Sequence, residues 1–200
     1  MKIGFVVPGG VDPSGTHRVI PHLVERLSYL SERHDVHVYA LRQPTRERHW
    51  TLAGAEVHNV GTAPRSARAL TAVIREHRRR PFDVLHAVFL IPQALVAGLA
   101  GRILGVPVVA EAPGGEYVSL PEISWGGLFR WRDRVRVRWG SRLADEILVP
   151  SEAARLHAAA FGVCAKRPPW GADTDTWSPR PPSPRDMNKP VRLCWVASIR

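Results

Sequence analysis

Residues 83–116, DVLHAVFLIPQALVAGLAGRILGVPVVAEAPGGE, constrain this chain more than any other stretch, because they spell a strand, a helix and a second strand parallel to the first. Residues 83–88 are short and rich in apolar and β-branched side chains, residues 91–104 suffice for about four helical turns, and residues 106–110 are apolar again after Gly105. Neither strand alternates apolar with polar residues, which is the pattern of parallel strands covered by helices on both faces. Ligands of such sheets lie beyond the carboxyl ends of the strands, so residues 86–89 and 111–116 are expected to face one. The run is too interrupted for a membrane span: Pro92, Gln93, Arg102, Gly105 and Pro107 would fall inside the hydrocarbon. It reads as buried core.

Around this crossover the chain repeats the same alternation. Residues 2–7 form an apolar strand that runs into the loop PGGVDPSG, and residues 16–33 then carry a helical stripe of Val19, Ile20, Leu23, Leu27 and Leu30. Glycines leading from a strand to a helix N-terminus let backbone amides approach an anion, although the dinucleotide pattern G-x-G-x-x-G is absent. Residues 36–41 read as a second strand, 43–52 as a polar loop with Arg46, Arg48, His49 and Trp50 in a position to select a substrate, and 55–60 as a third strand. Residues 66–77 follow as a helix with Leu70, Val73 and Ile74 inward. Residues 145–150 make another strand, after which Ser151 is a good N-cap for a helix over 152–160. Three successive strand–helix steps predict an α/β, Rossmann-like, doubly wound parallel sheet.

Residues 124–143 fit two periods. Arginines alternate with Trp131, Val135, Val137 and Trp139 as in a strand, yet Leu128, Trp131, Val135, Trp139 and Leu143 lie three or four apart as in a helix; the length favours the helix. That apolar stripe is expected to pack on the sheet. Of the net charge of +10, residues 130–142 supply +5, from six arginines against Asp133. Arg130, Arg134 and Arg138 would form a cationic row open to solvent or to an anionic membrane. A nucleic-acid surface is the other use of such charge, but no helix-turn-helix, zinc or RNP-like pattern accompanies it, so no nucleic-acid partner is expected. Cys164 and Cys194 are lone thiols, which fits a reducing cytoplasm. Between Lys2 and Pro8 there are five apolar or small residues, too few for a signal-peptide core, so export is not expected. The proline-rich change of composition divides the chain into a domain over 1–169, a linker over 170–190 and, at 191–200, the first strand of a second domain.

Four segments in this order resemble the N-terminal half of a retaining glycosyltransferase of family 4, with the two-domain GT-B fold. They are residues 1–38, with Ser14-Gly15-Thr16 in place of a Gly-Gly turn and HDVHVY as its second strand; DVLH followed by GVP; ADEILVPS at 144–151; and PWGADTDTW at 169–177. The closing VRLCWVASIR is similar to the strand that opens the donor domain of that family. The family's loop histidine falls at Pro113, the asparagine of its PNG at Trp170, and its Gly-Arg at Ala197-Ser198. The resemblance implies a nucleotide-diphosphate sugar as donor, held mostly beyond Arg200, and an acceptor of unknown kind (small molecule, glycan or lipid-linked) in this half. It places substrate contacts at Gly15, Thr16, His17, His86, Gly114, Gly115, Glu116, Gly171 and Asp173. It also implies no catalysis by this chain alone, no protein nucleophile, no cofactor and no metal. Asp173-Thr174-Asp175 has the D-x-D form of a metal motif, but from another glycosyltransferase fold. Gly15-Thr16-His17 also has a likeness to inverting GT-B enzymes, where a histidine acts as base and needs an aspartate to fix its tautomer.

Overall fold

The computed structural model describes residues 1–45, 48–61, 63–169 and 171. In chain order the elements are β1 (Lys2–Val7), α1 (Pro21–Ser31), β2 (Asp35–Ala40), β3 (His49–Leu52), β4 (Ala55–Asn59), α2 (Arg65–Arg79), β5 (Val84–Val88), α3 (Leu95–Leu104), β6 (Val108–Glu111), α4 (Trp131–Leu143), β7 (Glu146–Leu148) and α5 (Glu152–Ala160). β1 is buried at every position, as a central strand covered on both faces must be.

Across the sheet the order is β3-β4-β2-β1-β5-β6-β7, parallel except for β3, which runs antiparallel to β4 at the edge. Without β3 this is the doubly wound order: the chain moves outward from β1 through β2 to β4, then returns to β5 on the other side of β1. The reversal opens a crevice at the carboxyl ends of β1 and β5, where ligands of such sheets bind. Alternation along the strands makes two cores. Phe5, Val7, Val36 and Val38 meet Leu23 and Leu27 of α1 on one face. Val6, Tyr39, Leu85 and Ala87 meet Val73 of α2, Ala97 and Ala100 of α3 and Val137 of α4 on the other. Residues Met1–Pro168 form one compact unit. Among the described residues no helix is long and apolar enough to cross a membrane, and residues 87–110 hold β6, α3 and the end of β5 in the core. The expected linker and second-domain strand lie outside the described residues, apart from Gly171.

Four elements differ from the sequence reading, each for a local reason. α1 starts at Pro21 and not at residue 16, because Val19 bridges to Val11, Arg18 takes φ +52°, and Pro21 suits the first helical turn. Part of the expected polar loop is β3, joined to β4 by Ala53 and Gly54 at φ +50° and +81°, a two-residue hairpin turn. The helix expected from residue 91 is α-helical only from Leu95, with a π turn over Leu90–Ala94 ahead of it; Ile91 is extended (φ −129°, ψ 123°), as a residue before proline tends to be.

The largest difference is α4. It begins at Trp131, and the face expected to pack on the sheet points outward: Trp131 is 70% exposed, Val135 47% and Trp139 53%. The buried face consists of Val137, Gly140 and Ser141. Close approach decides this. A Cβ on Gly140 would stand 2.9 Å from the Leu90 carbonyl oxygen, and one on Gly98 of α3 would stand 2.4 Å from Cβ of Leu143. The helices touch through small residues, and an indole has no room between them.

Candidate functional site

The carboxyl ends of β1, β5 and β6 carry three groups of polar residues. The first is the loop from Pro8 to Ile20, which closes on itself. Ile20 donates to the Gly10 carbonyl at 2.8 Å, Gly15 to the Asp12 carbonyl at 3.0 Å, and Ser14 to the Asp12 carboxylate at 3.1 Å. These bonds, led by those from Ser14, hold Asp12 below the usual carboxylate range. Gln43, buried just after β2, accepts the amides of Gly10 (2.9 Å) and Val11 (3.2 Å), and Trp50 donates its indole N–H to the Val11 carbonyl at 3.0 Å. The amides that an anion would use at the start of this loop are therefore taken by a carboxamide. Gly15 lies in the loop, not at the N-terminus of α1, with φ +68° and Leu52 alongside. Thr16 and His17 are exposed, and the His17 amide donates to Ser14 Oγ at 3.1 Å. Among the described residues no carboxylate pairs with the His17 ring, whereas Asp12 is engaged by Ser14 and Gln43.

The second group lies on the α1 face of the sheet. His86 of β5 stands opposite Val109 of β6, and Glu111, two residues on, shares its face. His86 Nε2 is 2.8 Å from Glu111 Oε1, Arg26 of α1 pairs with the same oxygen, and Phe5 stacks on the imidazole with centroids 4.8 Å apart. Burial raises the Glu111 pKa, but hydrogen bonding and charge from His86 and Arg26 outweigh it, so the carboxyl sits below its ordinary range. Glu111 is thus ionised. Its Oε2 is buried with no hydrogen-bond partner among the described residues.

The third group is the loop from Ala112 to Arg130. Glu116 is buried, its Oε2 accepts the Gly114 amide at 2.9 Å, and its Oε1 has no partner among the described residues. Burial raises its pKa, against the amides of Glu116 and Gly114. The Trp125 ring lies against Gly115, where a Cβ would meet it at 2.1 Å, and the indole is 39% exposed. Gly127 donates to the Gly115 carbonyl at 2.8 Å, and Tyr117 reaches Ser141 of α4 at 2.8 Å, so the loop is tied both to itself and to α4. Burial, the largest influence, raises the Tyr117 hydroxyl to about 12.

The structure thus brings His86 together with Glu111 on neighbouring strands, and Gly114, Gly115 and Glu116 with Trp125 in the loop that follows β6. Gly15, Thr16 and His17 form a separate loop at the same end of the sheet. Gly171 is exposed, and Asp173, Asp175 and Arg46 lie outside the described residues. Arg48 and His49 are exposed, while Trp50 serves as the anchor of the first loop. Sequence reasoning missed Arg26, Gln43 and Trp125. Neither Arg26 nor Gln43 carries a local sequence signal. Cavities of about 420 and 430 Å³ line up with residues at the amino ends of β6 and β7, such as Pro107 and Asp145. They lie at the opposite ends of the strands from this chemistry, so the carboxyl ends, where ligands of such sheets bind, remain the better candidate.

Comparison with known proteins fits this arrangement. A family model described as a glycosyl transferase 4-like domain matches residues 14–169. Comparison with curated protein sequences gives no match. Solved structures share the fold at low identity. Sucrose-phosphate synthase from Thermosynechococcus elongatus aligns with a TM-score of 0.63 and 11% identity over 88% of this chain and 49% of its own. Anabaena HepE in complex with UDP and glucose aligns with a TM-score of 0.60 and 19% identity over 90% and 47%. UDP-GlcNAc 2-epimerase from Methanocaldococcus jannaschii aligns with a TM-score of 0.50 and 12% identity over 82% and 43%. The chain therefore spans less than half of each of these proteins. With most of its length matched by the family model and a sheet of the GT-B kind, the chain belongs to the glycosyl transferase 4-like domain family.

Proposed function

We propose that this chain is the acceptor-binding half of a cytoplasmic glycosyltransferase that moves a sugar from a nucleotide-diphosphate sugar to a hydroxyl acceptor with retention of configuration. The donor is held mostly by a following domain, and this half alone does not turn over. The observation that carries the acceptor role is the loop after β6: Glu116 holds a buried carboxyl oxygen with no partner among the described residues, next to an exposed Trp125 ring resting on Gly115. An unmatched buried oxygen costs about 1–3 kcal/mol, which a sugar hydroxyl would recover, and an indole face offers the flat apolar surface on which a pyranose packs. Loop amides bound by Gln43 and an ionised Glu111 at the same end favour a neutral hydroxylated ligand over a pyrophosphate. The test is sugar transfer by the full-length enzyme from a panel of nucleotide-diphosphate sugars, with product configuration read by proton NMR. Trp125→Ala is expected to raise the Michaelis constant for the acceptor about tenfold and leave that for the donor unchanged. Equal effects on both, or an inverted product, overturn the reading.

We infer further that α4 rests on an anionic lipid surface. The outward Trp131, Val135 and Trp139 recur every fourth residue, with the Arg132 guanidinium 5.5 Å over the Trp131 ring and that of Arg142 6.0 Å over Trp139. Apolar bodies flanked by cations suit the headgroup zone. Arg130, Arg134 and Arg138 add charge, each contributing about 1 kcal/mol near an anionic leaflet. The protein is expected to sediment with phosphatidylglycerol vesicles at low salt, and less so as Trp131→Ala plus Trp139→Ala. Retention of wild-type protein in the supernatant, or self-association through this face without vesicles, overturns it.

A further inference from the structure

On the α2 face of the sheet, away from His86 and Glu111, three potential ligand atoms converge. β2 and β4 pair with His37 opposite Glu56 and Tyr39 opposite His58, so His37, Glu56 and His58 project to one side. His37 Nδ1 lies 3.1 Å from His58 Nε2 and 3.5 Å from Glu56 Oε2, and the ligand atoms of all three residues fall within 4.8 Å of one another. A tetrahedral ion with bonds of about 2.0–2.1 Å holds its ligand atoms about 3.3 Å apart, between those two distances.

The other ring nitrogens are engaged as those of metal-bound imidazoles are. His37 Nε2 faces Asp35 Oδ1 at 3.2 Å, and Arg80 holds Asp35 Oδ2 at 2.7 Å. His58 Nδ1 is 3.0 Å from His49 Nδ1. With His37 donating to Asp35 and His58 donating to His49, two lone pairs and a carboxylate oxygen face one another, a set that a cation at its centre would satisfy. A relay of protons running His49 to His58 to His37 is the arrangement without an ion. The His58 ring lies near-parallel to those of His37 (5.4 Å, 7°) and Tyr39 (4.9 Å, 12°), which hold it in place. A cavity of about 690 Å³ lined by His49 and His58 opens beside the cluster, with Arg48, Arg68 and Arg75 on its wall.

We propose that His37, Glu56 and His58 form a structural site for a divalent transition ion, zinc above all, that staples β2 to β4. Two imidazoles and one carboxylate favour zinc over magnesium or calcium. The site lies across the sheet from the proposed acceptor groups and takes no part in transfer, so it departs from the expected absence of metal without touching the donor chemistry.

The experiment uses the full chain without a purification tag, stripped with a chelator and titrated with Co²⁺ and then Zn²⁺ near neutral pH. One equivalent of Co²⁺ is expected to give the absorption of a tetrahedral site, to be displaced by Zn²⁺, and to raise the melting temperature. Glu56→Ala and His58→Gln are each expected to weaken binding roughly 10–100-fold, the range found even for outer-sphere partners. Glu56 is largely exposed, so its variant keeps the fold if the variant at the half-buried His58 does not. Absence of the tetrahedral spectrum in wild type, or the same affinity in Glu56→Ala, overturns the site and leaves the proton relay.

Discussion

On the α1 face of the sheet, His86 meets a carboxylate, Glu111, that is 4% exposed and shared with Arg26. On the α2 face, His58 meets two other imidazoles, His37 and His49, and the nearest carboxylate, Glu56, is 64% exposed. The two groups hold similar residues with opposite electrostatics. In the first, fixed charges of both signs compensate one another inside the protein and the acid stays ionised. In the second, burial and then the neighbouring His37 and His49 lower the His58 pKa to about 4, so this imidazole stays neutral. A buried ion pair resists change because removing one partner strands the other. A neutral imidazole such as that of His58 can accept a cation.

The sharpest way to break this contrast is Glu111→Ala. It removes the carboxylate that Arg26 and His86 share, and the expected loss is about 3 kcal/mol, the low end for a broken buried pair because Arg26 is 24% exposed. Urea unfolding of the chain gives the number. Glu111→Gln keeps one hydrogen-bonding oxygen and should lose less; equal losses would mean that packing, not charge, holds this face.

Acid should separate the groups by pH. The folded His58 pKa of about 4 lies under the ordinary 6.5, so the unfolded chain binds more protons in between, and stability falls as pH drops from about 6.5 to about 4. Partial exposure limits that contribution to no more than about 2 kcal/mol. Glu111 is also depressed, but from 4.5, so its contribution is present above that value and is lost only as pH falls through the folded pKa. With chelator present, His58→Phe should flatten the urea midpoint above pH 4.5 and spare the loss below it. Glu111→Gln should do the reverse. A single acid transition unaffected by His58→Phe would contradict the depressed imidazole.

The central strands were legible because a parallel sheet demands continuous apolar runs: β1 has the bounds read from composition, and β5 and β6 fall within one or two residues of theirs. β3 was hidden by its length of four residues, and Ala53-Gly54, with alanine at φ +50°, lacks the Asn-Gly or Asp-Gly pattern that announces such a hairpin turn. The face of α4 could not be read from its own residues. Apolar spacing favours Trp131, Val135 and Trp139 inside, but Gly98 and Leu143 on the contact surface admit only the narrow side of the helix. Of the candidate site, His86 and residues 114–116 stood out as positions at strand ends. Arg26 and Gln43 depend on a helix and a loop being folded over them, which no local pattern records.

The smallest expected effect is also the most discriminating. Glu56→Ala on the α2 face removes a carboxylate as Glu111→Ala does on the other, yet at 64% exposure its contact with His37 is open to solvent. Without metal the change should shift stability by less than about 0.5 kcal/mol, since His37 keeps Asp35 at 3.2 Å and His58 at 3.1 Å. The strand itself tolerates the residue, because Glu56 lies on β4 opposite Thr51 and adds no buried apolar area. Saturating zinc should therefore stabilise wild type and leave Glu56→Ala nearly unmoved, so the gap between the two proteins should open only when the ion is added. A gap as wide with chelator as with zinc would mean that Glu56 supports the edge of the sheet directly, and the two faces would then differ in degree and not in kind.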